Sequence, residues 1–164
     1  MTPSVGFVIS TSLRVLDLSE NLFNQEIPNW FSNLSTSLLE YLDLRDNSLS
    51  KTIPDSLGQL KHLMDLDLSD NSLSGPIPSS LGNLSQMQAL LLGVNKLNGT
   101  IPKSLGLLSN LFALSISHNF FTGSLDEAHF SKLEKLKELE ISYTPLFFNM
   151  NSNWVPPFNL NMFP

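Results

Sequence analysis

The chain has 164 residues, a formal charge of −6 and a pI near 4.8. That balance argues against a nucleic-acid binder, which needs a basic stripe, and no long lysine or arginine run is present. Cysteine is absent, so the sequence offers no disulfide, thiol nucleophile or cysteine metal site. The first residues, MTPSVGFVIS, lack the basic start and longer apolar run of a secretion signal, and no stretch approaches the run of about 18 apolar residues that spans a membrane.

From residue 13 onward one pattern recurs: Leu-x-x-Leu-x-Leu-x-x-Asn-x-Leu/Phe, followed in most copies by Ile-Pro. The first copy is Leu13, Leu16, Leu18, Asn21 and Phe23, with Ile27-Pro28. The second is Leu39, Leu42, Leu44, Asn47 and Leu49, with Ile53-Pro54; the third is Leu63, Leu66, Leu68, Asn71 and Leu73, with Ile77-Pro78. The fourth is Met87, Leu90, Leu92, Asn95 and Leu97, with Ile101-Pro102. In the fifth, Leu111, Leu114, Ile116, Asn119 and Phe121 are followed by Leu125-Asp126 instead of Ile-Pro. The sixth is degraded: Leu136, Leu139, Ile141 and Leu146 remain, but Thr144 stands where asparagine is expected. An asparagine-rich loop over 149–153 comes next, and Trp154-Val155-Pro156-Pro157-Phe158 leads into a seventh unit. Asparagine to asparagine, the first four steps are 26, 24, 24 and 24 residues.

A period in the twenties with this signature specifies a leucine-rich-repeat solenoid, an α/β horseshoe arc whose units touch only their neighbours. We read residues 1–164 as one segment, with repeats at 13–36, 39–62, 63–86, 87–110, 111–135 and 136–157 and a seventh starting over 158–164. Neither end shows a polar capping repeat, which points to an interior slice of a longer solenoid. Period-two alternation in each Leu-x-Leu predicts a strand of a parallel sheet on the concave face, its leucines pointing inward. Asn21, Asn47, Asn71, Asn95 and Asn119 form a structural ladder of buried amides bonding the backbone of the turn and of the next coil. A second short strand follows the ladder. Proline then fixes φ and removes a donor, so that style of pairing stops. Gly75, Gly99 and Gly123 precede that step and permit unusual backbone conformations. Ser56–Leu60, Ser80–Leu84 and Ser104–Leu108 predict short helical or 3₁₀ turns with glycine breaks on the convex side.

Function then lies in the outward positions of the concave strands. In the first three copies these are acidic, with Asp17, Asp43 and Asp67 in one column and Glu20, Asp46 and Asp70 in a second. Such a face suits a basic partner, with solvated or serine-bonded aspartates as the plain structural reading. The fourth and fifth copies change to Gln88, Ala89, Leu91, Gly93 and Val94, then Phe112, Ala113, Ser115, Ser117 and His118. An exposed apolar patch of this kind marks an interaction site. We therefore take Gln88, Leu91, Val94, Phe112, Ser115, His118, Asp43 and Asp67 as the candidate ligand-binding residues. Three sequons, at Asn33, Asn83 and Asn98, could carry glycans in the secretory pathway. No nucleophile elbow or phosphate-binding glycine loop occurs. His62, His118 and His129 fall on different parts of the coil. Neither catalysis, a metal nor a cofactor is expected.

The chain resembles plant-type leucine-rich-repeat proteins, and more narrowly the ectodomain of plant receptor-like proteins of the elicitor-receptor class. The matching segments are Thr11-Ser12-Leu13-Arg14-Val15-Leu16-Asp17-Leu18-Ser19, Glu127-Ala128-His129-Phe130-Ser131-Lys132-Leu133 and Trp154-Val155-Pro156-Pro157-Phe158. The resemblance implies a glycoprotein at the plasma membrane or in the apoplast. It would bind a protein, peptide or cell-wall-derived ligand in defence or developmental signalling, and would recruit co-receptor kinases because the family has no kinase of its own. It also implies a signal peptide, cysteine-bearing caps, many more repeats, an acidic juxtamembrane stretch and one membrane helix, none of which this sequence contains. Two other readings are a soluble extracellular inhibitor of a cell-wall-degrading enzyme, similar to polygalacturonase inhibitors, and a truncated remnant without independent function.

Overall fold

The computed structural model describes residues 12–28 and 38–161. Each Leu-x-Leu core becomes a three-residue strand: β1 (Val15–Asp17), β2 (Tyr41–Asp43), β4 (Asp65–Asp67), β6 (Ala89–Leu91), β8 (Ala113–Ser115) and β11 (Glu138–Glu140). They form a six-stranded parallel sheet in the order β1-β2-β4-β6-β8-β11. The two-residue side-chain alternation sends Leu42, Leu66, Leu90 and Leu114 into the core, where the first three are fully buried. Each such leucine contributes about 2 kcal/mol through the apolar area it removes from water.

Past the asparagine, β3 (Ser50–Lys51), β5 (Ser72–Gly75), β7 (Lys96–Gly99) and β9 (Phe120–Phe121) build a second parallel sheet, and β10 (Ser124–Leu125) pairs in parallel with β12 (Phe147–Phe148). Gly75, Gly99 and Gly123 hold φ of +80°, +81° and +93°, as their positions require. In the second copy Lys51 takes that place with φ +70°. The Ile-Pro step turns the chain outward. Pro54, Pro78 and Pro102 (φ −74°, −63° and −69°) each precede a 3₁₀ turn, at Asp55–Gln59, Ser79–Asn83 and Lys103–Leu107.

The glycines inside those turns are contacts rather than breaks. A Cβ on Gly58 would lie 2.5 Å from Ser80 O, one on Gly82 2.5 Å from Ser104 O, and one on Gly106 2.2 Å from Ala128 O. Each turn thus rests backbone to backbone on the next, and glycine is what lets the coils stack that closely.

The ladder runs in the direction opposite to the one expected. Asn47, Asn71, Asn95 and Asn119 donate from Nδ2 to a carbonyl of the preceding coil (Leu18, Leu44, Leu68 and Leu92, at 2.9–3.0 Å) as well as to their own turn. Their Oδ1 atoms accept from the preceding coil too, from the N–H of Phe23, Leu49, Leu73 and Leu97. Asn95 and Asn119 are buried, Asn47 and Asn71 half-buried, and Asn21 exposed with bonds to Leu18 O and Ser19 O of its own coil.

In the fifth coil Asp126 replaces proline and supplies a cap of a different kind. Its carboxylate accepts from Ala128 N, while its own N–H donates to Nδ1 of the buried His129. Lys103 pairs with the same carboxylate at 2.6 Å. This cap starts a 3₁₀ turn over Glu127–Phe130. Trp154 and Phe158, which we expected to lead into a seventh unit, pack on Phe130 of the fifth coil with ring centroids 5.8 and 5.7 Å away. Beyond them Asn161 N donates to Lys137 O, the bond that Lys137 N makes to Phe112 O one coil earlier.

Candidate ligand-binding face

Strand register sets the chemistry of the open face of the first sheet. One row runs Val15, Tyr41, Asp65, Ala89, Ala113 and Glu138; the row beside it runs Asp17, Asp43, Asp67, Leu91, Ser115 and Glu140. A third group follows each strand in the left-handed conformation: Glu20, Asp46, Asp70, Val94, His118 and Tyr143, all with φ between +51° and +54°.

The acidic half of this face is less free than its sequence suggests. Asp43 is only 5% exposed: its Oδ2 accepts from the Tyr41 hydroxyl and its Oδ1 from Arg45 N–H. It is a structural carboxylate, and we withdraw it from the candidate contacts. The Tyr41 hydroxyl is pushed up to about 12 by burial first, then by its bond to Asp43 and by the nearby aspartates. Asp67 is half-buried and its Oδ1 takes both the N–H and the hydroxyl of Ser69. Burial still holds its carboxyl above the usual range, and burial does the same for Asp65. Asp17 makes the same two bonds with Ser19 and is held below the usual range, first by the backbone bond. Serine-bonded aspartates are therefore part of the strand's own architecture.

In the fourth and fifth coils, Val94 and Phe112 are 46% and 44% exposed, Gln88 and His118 are exposed, and Leu91 and Ser115 are partly exposed. Gly93, Ala113 and Ser117, expected to face outward, are buried. They form the floor between the larger side chains. His118 stacks on Tyr143 with centroids 4.3 Å apart, and Ser115 donates to Glu140 at 2.8 Å. Asn83 and Asn98 are exposed, while Asn33 lies outside the described residues.

Val94 is the outlier of the third group, because a β-branched side chain crowds its own backbone at positive φ. Val94→Asn is expected to raise unfolding stability by about 1 kcal/mol, since asparagine tolerates this region far better. Urea titration of the two proteins checks it, and an unchanged or lower midpoint contradicts it. This strain is invisible in the repeat pattern, which leaves that position free.

Comparison with known proteins agrees with the geometry. A family profile described as leucine-rich repeat region matches residues 8–164. The chain belongs to the leucine-rich-repeat family. A search of curated proteins returned no match. Among solved structures, this leucine-rich-repeat chain is similar to the ectodomain of the plant membrane receptor kinase GASSHO1/SCHENGEN3 from Arabidopsis thaliana, in complex with CASPARIAN STRIP INTEGRITY FACTOR 2. Identity there is 38% and the TM-score 0.77, covering 81% of this chain and 16% of that one. It is also similar to the Arabidopsis receptor kinase HAESA in complex with the peptide hormone IDA and the co-receptor SERK1, at 31% identity and a TM-score of 0.75, covering 82% of this chain and 22% of that one. In the BIR3–SERK2 complex from Arabidopsis thaliana the match is 34% identical with a TM-score of 0.68, over 80% of this chain and 68% of that one. The chain thus spans less than a quarter of the first two receptors. Among the described residues no helix is long and apolar enough to cross a membrane.

Proposed function

We propose that this leucine-rich-repeat chain is a ligand-binding module of a plant cell-surface receptor-like protein, active in defence or developmental signalling. It takes a peptide or protein ligand on the open face of its fourth and fifth coils. The observation that carries this reading is the placing of Leu91 and Val94 where the third coil has the serine-bonded Asp67 and the acidic Asp70, beside an exposed Phe112 in the column of Glu40 and Gln88. Apolar groups left in water on an otherwise polar surface gain free energy when a partner covers them. Support also comes from likeness to receptors crystallised with a peptide hormone and a co-receptor. By the same likeness the module works at the plasma membrane or in the apoplast alongside co-receptor kinases. There the exposed Asn83 and Asn98 are glycan acceptors.

The test immobilises the full chain, passes over it the peptide fraction of plant apoplastic fluid, and identifies retained peptides by mass spectrometry. Leu91→Asp and Phe112→Asp are each expected to lower retention at least about tenfold, since a buried charge opposes apolar contact. Circular dichroism should stay unchanged, because neither side chain belongs to the core. Equal retention by folded variants rejects the site.

A further inference from the structure

We infer that the ligand of this face is an extended peptide segment with two cationic side chains four residues apart around an apolar centre, lying across the strands from the third coil to the sixth. This rests on the reading of the open face as a binding site and specifies what that site selects. Register places Asp67, Leu91, Ser115 and Glu140 in one uninterrupted row, so an uncharged stretch is closed by a carboxylate at each end. The neighbouring row repeats the arrangement, with Asp65 and Glu138 bracketing two alanines.

Three strand steps separate the bracketing carboxylates, about 14 Å at the usual spacing of parallel strands. Four residues of extended peptide cover about 13 Å, so residues i and i+4 of a crossing segment fall over Asp67 and Glu140. Both carboxylates have an oxygen to offer. Asp67 commits Oδ1 to Ser69, and Glu140 commits Oε2 to Ser115, which leaves Asp67 Oδ2 and Glu140 Oε1 for a ligand. Gly93, whose Cβ would meet Ser115 Oγ at 3.0 Å, keeps the middle of the trough low enough for a backbone to approach. Neither Lys137 nor Arg45 bonds these carboxylates: Lys137 Nζ donates to Asn159 O, and Arg45, whose charge reaches Asp67 through space, pairs with Glu20 at 3.0 Å. An apolar trough with anionic ends selects cationic flanks, and unlike charges across the contact also exclude acidic competitors.

Fluorescence anisotropy with labelled synthetic peptides tests this on the full chain. The probe has the core Lys-Val-Leu-Val-Lys; one control has Glu-Val-Leu-Val-Glu and the other the same composition as Lys-Lys-Val-Leu-Val. The probe is expected to bind about tenfold tighter than either control at low salt, with the gap closing as salt screens the exposed pairs. Asp67→Asn and Glu140→Gln should each weaken the probe about threefold and leave the Glu-flanked control no weaker. If all three peptides bind equally and Leu91→Asp abolishes binding of each, the charge and spacing rule is overturned while the site stands. If none binds, or if Leu91→Asp changes nothing, the reading of the face is overturned and this inference goes with it.

Discussion

Replacing Asn95 with alanine is expected to lower unfolding stability by about 3 kcal/mol, whereas Asn21→Ala costs less than about 0.5 kcal/mol. The two residues occupy the same letter of the repeat. They differ in what their amides join. Asn95 is 7% exposed, donates to Leu68 O, Leu92 O and Gly93 O, and accepts from Leu73 N–H. Removing it leaves a buried donor and acceptor in the third coil without partners, and each such group costs about 1–3 kcal/mol. Asn21 is exposed, so water takes over the two carbonyls it serves. Urea unfolding of both variants followed by circular dichroism decides the matter. Equal midpoints for the two would mean that the ladder does not bind coil to coil.

Gly82→Ala, the smallest possible side-chain addition, is expected to cost about 3 kcal/mol, at the upper end for overpacking. The new methyl would lie 2.5 Å from both Ser104 O and Ser104 Cβ. The obstruction is backbone, so no rotamer change relieves it, and the third and fourth coils must separate locally, loosening the core on both sides. Gly99→Ala is the informative control. There the methyl meets Pro76 Cβ at an ordinary 3.5 Å, and the cost is conformational, from φ of +81°, about 1 kcal/mol. Calorimetric or urea unfolding should rank Gly82→Ala clearly below Gly99→Ala; the reverse order would show that backbone conformation, not coil stacking, makes these glycines necessary.

Strands, core leucines, the second sheet and the positive-φ glycines were legible because each follows from local rules: alternation, burial and the absence of a Cβ. What stayed hidden depends on the neighbouring coil. Asp43 is the exception: Tyr41 of its own strand bonds its carboxylate, which no outward-facing pattern reveals. The role of Gly58, Gly82 and Gly106 depends on the distance between turns 22 to 24 residues apart in sequence, so a glycine inside a turn looked like a break. The Trp154–Phe158 segment was read as leading into a new unit; that its rings complete the burial of Phe130 in the coil before could not be seen without the stacking. In the binding face, the change from acidic to apolar letters was plain in the sequence. The buried floor of Gly93, Ala113 and Ser117 and the bracketing by Glu138 and Glu140 needed the register.

The backward reach of the asparagines also gives the solenoid an order of assembly. A coil is completed by an amide that arrives one repeat later, so on a chain made from its N-terminus the newest coil is always the least finished, and each joint tightens one step behind synthesis. That sequence of closures stops at Thr144, whose hydroxyl donates to Ile141 O of its own coil instead of reaching back to the fifth. Strand pairing still links those two coils, through Ile116 N to Glu140 O and His118 N to Ser142 O. The side-chain clasp that locks every earlier joint is missing there. That joint rests instead on contacts outside the ladder, with Glu127 Oε1 accepting from Asn151 and the rings of Phe148, Trp154 and Phe158 packed on Phe130.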